Sequence, residues 1–143
     1  MKKILFVLAI FALTVGAFAQ NKGTVTTLTA DTIADAGTID MPLGVNFKSH
    51  DLTIAIQAVC TELSGTAAGS IYVEGSLDGT SYETINTTSG FMVAFPNDTL
   101  TVVDGGVGLW YLCNTPYNYY RVYGSGSGTE STKVVVQWVY KNK

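Results

Sequence analysis

His50 is the only histidine in the chain, and Asp51 follows it directly. A Ser-His-Asp hydrolase needs its carboxylate to reach the imidazole from across the fold and its serine on a strained, exposed turn. The sequence contains no Gly-x-Ser-x-Gly elbow, so His50 reads as a loop histidine just ahead of a strand. Glu74, Asp78 and Glu83 flank one expected hairpin. They would suit a glycosidase only if two of them faced each other across a cleft at about 5–9.5 Å, which a small sandwich with short loops seldom encloses. Asp98 and Asp104, with Asn97 and Gly105-Gly106 nearby, offer oxygen ligands for Ca²⁺, but the same residue types also simply make turns. The run Gly124-Ser125-Gly126-Ser127-Gly128 lacks the lysine and following helix of a phosphate cradle and reads as a flexible hairpin loop. No catalytic residue, metal site or cofactor site is assigned, and the chain is not expected to be an enzyme.

The residue types that could carry binding are aromatic. Trp110, Tyr111, Tyr117, Tyr119, Tyr120, Tyr123, Trp138 and Tyr140 crowd the last third of the chain. In a strand, successive side chains alternate between faces, so Tyr117, Tyr119, Arg121 and Tyr123 share one face and Tyr120 and Val122 the other. With one face in the core, the opposite one is a strip that can pair across strands, fill a protein interface or stack on sugar rings. Tyr117, Tyr119, Arg121 and Tyr123 are therefore the expected binding residues.

The elements that must position these side chains are strands. Leu52, Ile54, Ile56, Ala58 and Cys60 fall on one parity, with Thr53, Gln57 and Thr61 on the other, which is the period of a half-buried strand. A second strand follows Ser64-Gly65, with Ile71, Val73 and Leu77 on one face and Tyr72, Glu74 and Ser76 on the other, and Asp78-Gly79 then turns the chain. Further strands are expected at residues 82–85, 91–95, 99–103, 107–113, 117–123 and 133–140. Their spacing of about 8–12 residues between Gly, Asn, Pro and Ser breaks predicts an all-β antiparallel sandwich, jelly-roll-like, of about seven to nine strands.

Ahead of this domain stands a leader. Lys2-Lys3 is followed by an uncharged run from Ile4 to Ala19 ending in Ala17-Phe18-Ala19, the order of a cleavable signal peptide. The run is shorter than the roughly 20 apolar residues that span a bilayer, so residues 1–19 are expected to be removed and the mature chain not to insert in a membrane. Residues 20–50 read as an extended, polar segment able to serve as an edge or donor strand, and residues 51–143 as the sandwich core. Losing Lys2 and Lys3 moves the net charge from −3 to −5, which argues against nucleic acid and anionic lipid surfaces as partners. Charged residues are only 13 % of the chain, so little repulsion opposes association with copies of itself. Export also permits a disulfide between Cys60 and Cys113; the alternative is that both are small buried hydrophobes.

Val73-Glu74-Gly75-Ser76-Leu77-Asp78-Gly79-Thr80-Ser81-Tyr82, followed by Tyr119-Tyr120-Arg121-Val122-Tyr123-Gly124 and the Gly/Ser run, resembles small β-sandwich proteins of bacteriophage virions and prophages. The Ser-x-Asp-Gly step is also similar to one in discoidin-like carbohydrate-binding jelly rolls. The resemblance, taken with the leader, implies a non-catalytic exported domain in a structural or adhesive role, although a leader departs from virion proteins assembled in the host cytoplasm. Its partners would be copies of itself or another surface or virion protein; the second likeness implies a secreted glycan-binding module instead. No binding residue is carried over from either group.

Overall fold

A computed structural model describes residues 23–47, 52–86, 92–95, 98–113, 115–129 and 131–142. The leader, the His50-Asp51 pair and Asn97 lie outside these residues. The chain order is β1 (Thr26–Thr27), β2 (Asp31–Ala34), β3 (Thr38–Pro42), β4 (Leu52–Ser64), β5 (Gly69–Ser76), β6 (Glu83–Thr84), β7 (Met92–Phe95), β8 (Thr99–Thr101), β9 (Val107–Cys113), β10 (Tyr119–Gly126) and β11 (Ser131–Asn142). Among the described residues no helix is long and apolar enough to cross a membrane.

The fold is an antiparallel β-sandwich. Sheet A runs β1-β11-β4-β9-β7 with β2 also on β11, and sheet B runs β3-β10-β5-β6 with β8 also on β5. The eleven described strands exceed the expected seven to nine because two edges are each split into short pieces. β1 and β2 share the free side of β11, and β6 and β8 share that of β5. Polar stretches of two to four residues cannot sustain a long ladder, and such short edges limit pairing with other chains. Pro42 closes β3 at the open edge of sheet B, where its missing N–H costs no ladder bond; the next residue, Leu43, donates its N–H to the Tyr120 carbonyl at 3.0 Å.

The alternation in β4 faces inward as its sequence requires: Ile54, Ile56, Ala58 and Cys60 are all buried. They meet Trp110 and Leu112 of β9, Val134, Val136 and Trp138 of β11, and the sheet B residues Ile39, Met41, Ile71, Val73, Tyr120 and Val122 in one continuous core. Phe47 sits edge-on to Tyr120 and Trp138, with ring centroids 5.4 and 5.7 Å away. Burying large apolar side chains in this way contributes roughly 1.5–3 kcal/mol each.

Two local expectations need correction. The Gly/Ser run is not a hairpin loop: Gly124, Ser125 and Gly126 belong to β10, paired with Ile71, Ser70 and Gly69. The chain then crosses from sheet B to sheet A, held by N–H bonds from Gly126 to the Gly37 carbonyl and from Ser127 to the Ala68 carbonyl. Gly124 is glycine because a Cβ there would lie 3.0–3.2 Å from Ile39, Ile71 and Ile33, so the residue serves core packing and not flexibility. Leu77 does not share the buried face of Ile71 and Val73; it lies past the end of β5 and is exposed, because the alternation stops where the strand does.

Candidate functional site

The outer face of sheet B is organised around Arg121. On β10 the even parity of Tyr120 and Val122 points into the core, which turns Tyr119, Arg121 and Tyr123 outward and half-buries them. Register places Glu74 of β5 opposite Arg121, and Asp40 of β3 opposite Tyr123, the next residue on the same face. Arg121 donates from Nε to Glu74 Oε2 and from Nη1 to Asp40 Oδ2, both at 2.6 Å. Its guanidinium carbon lies 4.1 Å from the Tyr82 ring centroid and 5.1 Å from that of Tyr123. Burial alone would lower the Arg121 pKa, but the hydrogen bonds and negative charge of Glu74 and Asp40 raise it above its ordinary value. Tyr123 in turn packs on Tyr72, its cross-strand neighbour, at 5.6 Å.

Of the four expected binding residues, the structure brings Tyr119, Arg121 and Tyr123 together on one face and separates Tyr117 from them. β10 begins at Tyr119, so the two-residue alternation does not reach back to Tyr117. The Tyr117 ring instead packs against the core over Gly75, where a Cβ would approach it to 2.4 Å, and its hydroxyl donates to Glu83 Oε2 at 3.4 Å. Burial, together with the Glu83 charge, raises its pKa. Tyr120 is buried and its hydroxyl bonds to Thr115 Oγ1; burial pushes its pKa far up.

The residues that sequence reasoning missed are Asp40, Asn46 and Tyr82. Tyr82 ends the Ser-x-Asp-Gly-x-x-aromatic step, and the structure shows what holds that step together. Asp78 Oδ1 accepts from the Ser76 hydroxyl at 2.9 Å and from the Thr80 and Ser81 N–H groups at 2.8 Å each. Ser76 Oγ accepts from Gly79 N–H, and Gly79 adopts φ +78°, a left-handed conformation that suits glycine. The Ser81 and Thr80 N–H bonds, with the Ser76 hydroxyl, hold the Asp78 carboxyl well below the usual carboxylate range. This knot presents Tyr82 over Arg121 and lets the Tyr119 ring lie close over Gly79, within 3.4–3.5 Å of where a Cβ would stand. Between this loop and the segment after β3 is a groove of about 330 Å³ lined by Pro42, Val45, Asn46, Tyr82, Tyr119 and Tyr120. Asn46 Nδ2 donates to the Tyr119 hydroxyl at 2.7 Å.

The outer face of sheet A has a different chemistry. Val107, Leu109 and Tyr111 of β9 are 50 %, 43 % and 44 % exposed. Register sets them beside Val59, Gln57 and Ala55 of β4, which in turn lie beside Val135, Gln137 and Val139 of β11. No member of these three rows is charged. Lys133 and Lys141 appear only toward the ends of β11.

The remaining candidates have structural employment. Glu74 is committed to Arg121, Asp78 to its turn and Glu83 to Tyr117. Asp104 Oδ1 accepts from the Glu62 N–H at 3.0 Å, and the Asp98 carbonyl accepts from Trp110 Nε1. Of the two alternatives for the cysteines the bridge is not formed: both are free, Cys60 buried and Cys113 half-buried. Cys113 lies opposite Thr53 on β4, seven residues from Cys60 and hence about 23 Å away along the strand, far beyond the reach of a bridge. Burial pushes the Cys60 thiol up to about 11.

No family model matches the chain, and no curated protein matches it by sequence. Among solved structures, the PBSX exported protein XepA is 16 % identical, with a TM-score of 0.55 over 82 % of this chain and 37 % of its own. PirA is 7 % identical, with a TM-score of 0.50 over 87 % of this chain and 99 % of its own. The SPBc2 prophage-derived protein YomS is 11 % identical, with a TM-score of 0.42 over 81 % of this chain and 93 % of its own. The structural neighbours thus include a PBSX exported protein and a prophage-derived protein. At these identities the likeness is one of fold.

Proposed function

We propose that this chain is an exported, non-catalytic β-sandwich that associates with copies of itself, or docks on a larger extracellular or virion-like structure, through the outer face of sheet A. The carrying observation is the uncharged set of rows across β9, β4 and β11, with Val107, Leu109 and Tyr111 standing exposed. Strands about 4.8 Å apart and same-face residues about 6.8 Å apart make these rows a flat patch of about 10 by 14 Å between Cα positions. Two such patches can pack as sheet on sheet, burying apolar surface with no charge to desolvate. A symmetric pair is the simplest closed arrangement of one self-complementary patch.

The leader pattern of Lys2-Lys3, an apolar run and Ala17-Phe18-Ala19 supports export. The engaged state of Glu74, Asp78 and Glu83 supports a non-catalytic role. Sedimentation or light scattering of the mature protein across micromolar to millimolar concentration tests the association. Wild type is expected to form an ordered assembly, and Leu109→Lys to shift it to monomer with its fold intact. A wild-type chain that stays monomeric throughout, with no ordered assembly by microscopy, removes the reading.

A further inference from the structure

We infer that the groove between the segment after β3 and the Asp78 loop is a binding site for a short neutral saccharide. At about 330 Å³ it stands at the small end of the range of about 300–1,000 Å³ typical of ligand sites, which suits a short segment of ring-shaped ligand. Its chemistry selects the class. Tyr82 and Tyr119 supply aromatic surface, and Pro42 and Val45 supply aliphatic surface, for the C–H faces of a sugar ring.

Hydrogen-bonding groups stand at the same place. The Tyr119 oxygen accepts from Asn46, so its own proton is available as a donor. Asn46 is exposed, and among the described residues its side chain bonds only to Tyr119, which leaves its second N–H and its Oδ1 for a ligand. Adjacent donors and acceptors match neighbouring hydroxyls, each of which both donates and accepts. A proline-rich peptide, the other common guest of tyrosine-lined grooves, offers chiefly carbonyl acceptors and would leave Asn46 Oδ1 unmatched.

Charge argues against an acidic ligand. Among the described residues no lining side chain is ionic, and the guanidinium beneath Tyr82 is already committed to Glu74 and Asp40. The site is also held in place before any ligand arrives. Arg121 fixes Tyr82 from one side, and Gly79 with Asn46 fixes Tyr119, so little side-chain ordering is left to oppose binding.

The inference does not depend on association through sheet A, and its test keeps the two apart. The mature protein is titrated calorimetrically with neutral hexasaccharides of the gluco-, xylo-, manno- and galacto- series, a uronic-acid oligosaccharide and a proline-rich peptide. At least one neutral series is expected to saturate the protein. Asn46→Ala, an exposed loop change, should weaken that binding roughly three- to tenfold, and Tyr119→Phe, which keeps the ring, by a similar factor at unchanged melting temperature. Leu109→Lys should leave it unaltered. Absence of binding by every neutral series at millimolar concentration overturns the assignment. So does binding that Asn46→Ala and Tyr119→Phe both leave intact, or preference for the acidic sugar or the peptide.

Discussion

Arg121→Met removes the charge at the centre of sheet B while keeping most of the side-chain volume, and its cost can be worked from the geometry. The Arg121 and Glu74 side chains are 20 % and 11 % exposed, whereas Asp40 is 52 % exposed. Leaving one member of a fully buried pair without its partner costs about 3–5 kcal/mol. The remaining solvent access here lowers that to about 2–3 kcal/mol, because water partly resolvates Glu74. For a domain of this size that corresponds to a fall of roughly 10 °C in melting temperature. Asp40→Asn breaks the more exposed arm and should cost no more than about 1 kcal/mol, with high salt reducing the effect further.

The discriminating variant is Arg121→Met with Glu74→Gln. Removing both charges leaves no unpaired ion, so the double variant should be more stable than Arg121→Met alone. Urea unfolding followed by circular dichroism reads wild type, the single variants Arg121→Met, Asp40→Asn and Glu74→Gln, and the double variant on one scale. If Arg121→Met and Asp40→Asn are equally mild, or if the Arg121 and Glu74 changes simply add, the two carboxylates are not unequal partners and the account of the sheet B face is wrong.

Two further outcomes follow from the Asp78 loop and its surroundings. Gly75→Ala should destabilise the protein by about 1–3 kcal/mol, because the new methyl would come within 2.4 Å of the Tyr117 ring and 2.9 Å of Ile85; thermal unfolding within 1 °C of wild type would contradict that crowding. The folded state holds Asp78 below its ordinary pKa, so its contribution is fully present above the unfolded value and is lost as pH falls. The stability gap between wild type and Asp78→Asn should therefore be widest near neutrality and close progressively as pH drops through about 4 and below; a gap that stays constant with pH counts against an ionised Asp78 organising the turn.

Sequence periodicity placed side chains well wherever one strand settled the matter alone. The inward set of Ile54, Ile56, Ala58 and Cys60 is visible in the alternation of β4, as is the division of Tyr120 and Val122 from Tyr119, Arg121 and Tyr123. Asp78-Gly79 was legible as a turn because the positive φ at Gly79 is a local demand. What escaped depends on register between distant segments. Asp40 is 81 residues from Arg121, and Asn46 is 73 residues from Tyr119. No local pattern ties them together until β3 is known to lie beside β10. The strand state of Gly124–Gly126 was hidden for the same reason: composition suggests a flexible loop, whereas the space left by Ile33, Ile39 and Ile71 requires a residue without a side chain. The distance between Cys60 and Cys113 likewise emerges only from the pairing of β4 with β9.

The two outer faces answer different physical problems, and their separation has a consequence for how the protein would act. On sheet B, an arginine held by two carboxylates and covered by tyrosine rings makes a rigid support, and the groove is built from side chains that this support and the Asp78 turn keep in place. On sheet A the rows are flat and uncharged, suited to another sheet and poorly suited to gripping a small polar ligand. Because the faces lie on opposite sides of the core, association through sheet A would leave every groove facing outward. A face-to-face pair would then present two grooves pointing away from each other, able to join two separate glycan chains but not to engage neighbouring sites on one short chain. Strong avidity would require larger assemblies that set several grooves on one side, with the gain governed by the spacing of the sites.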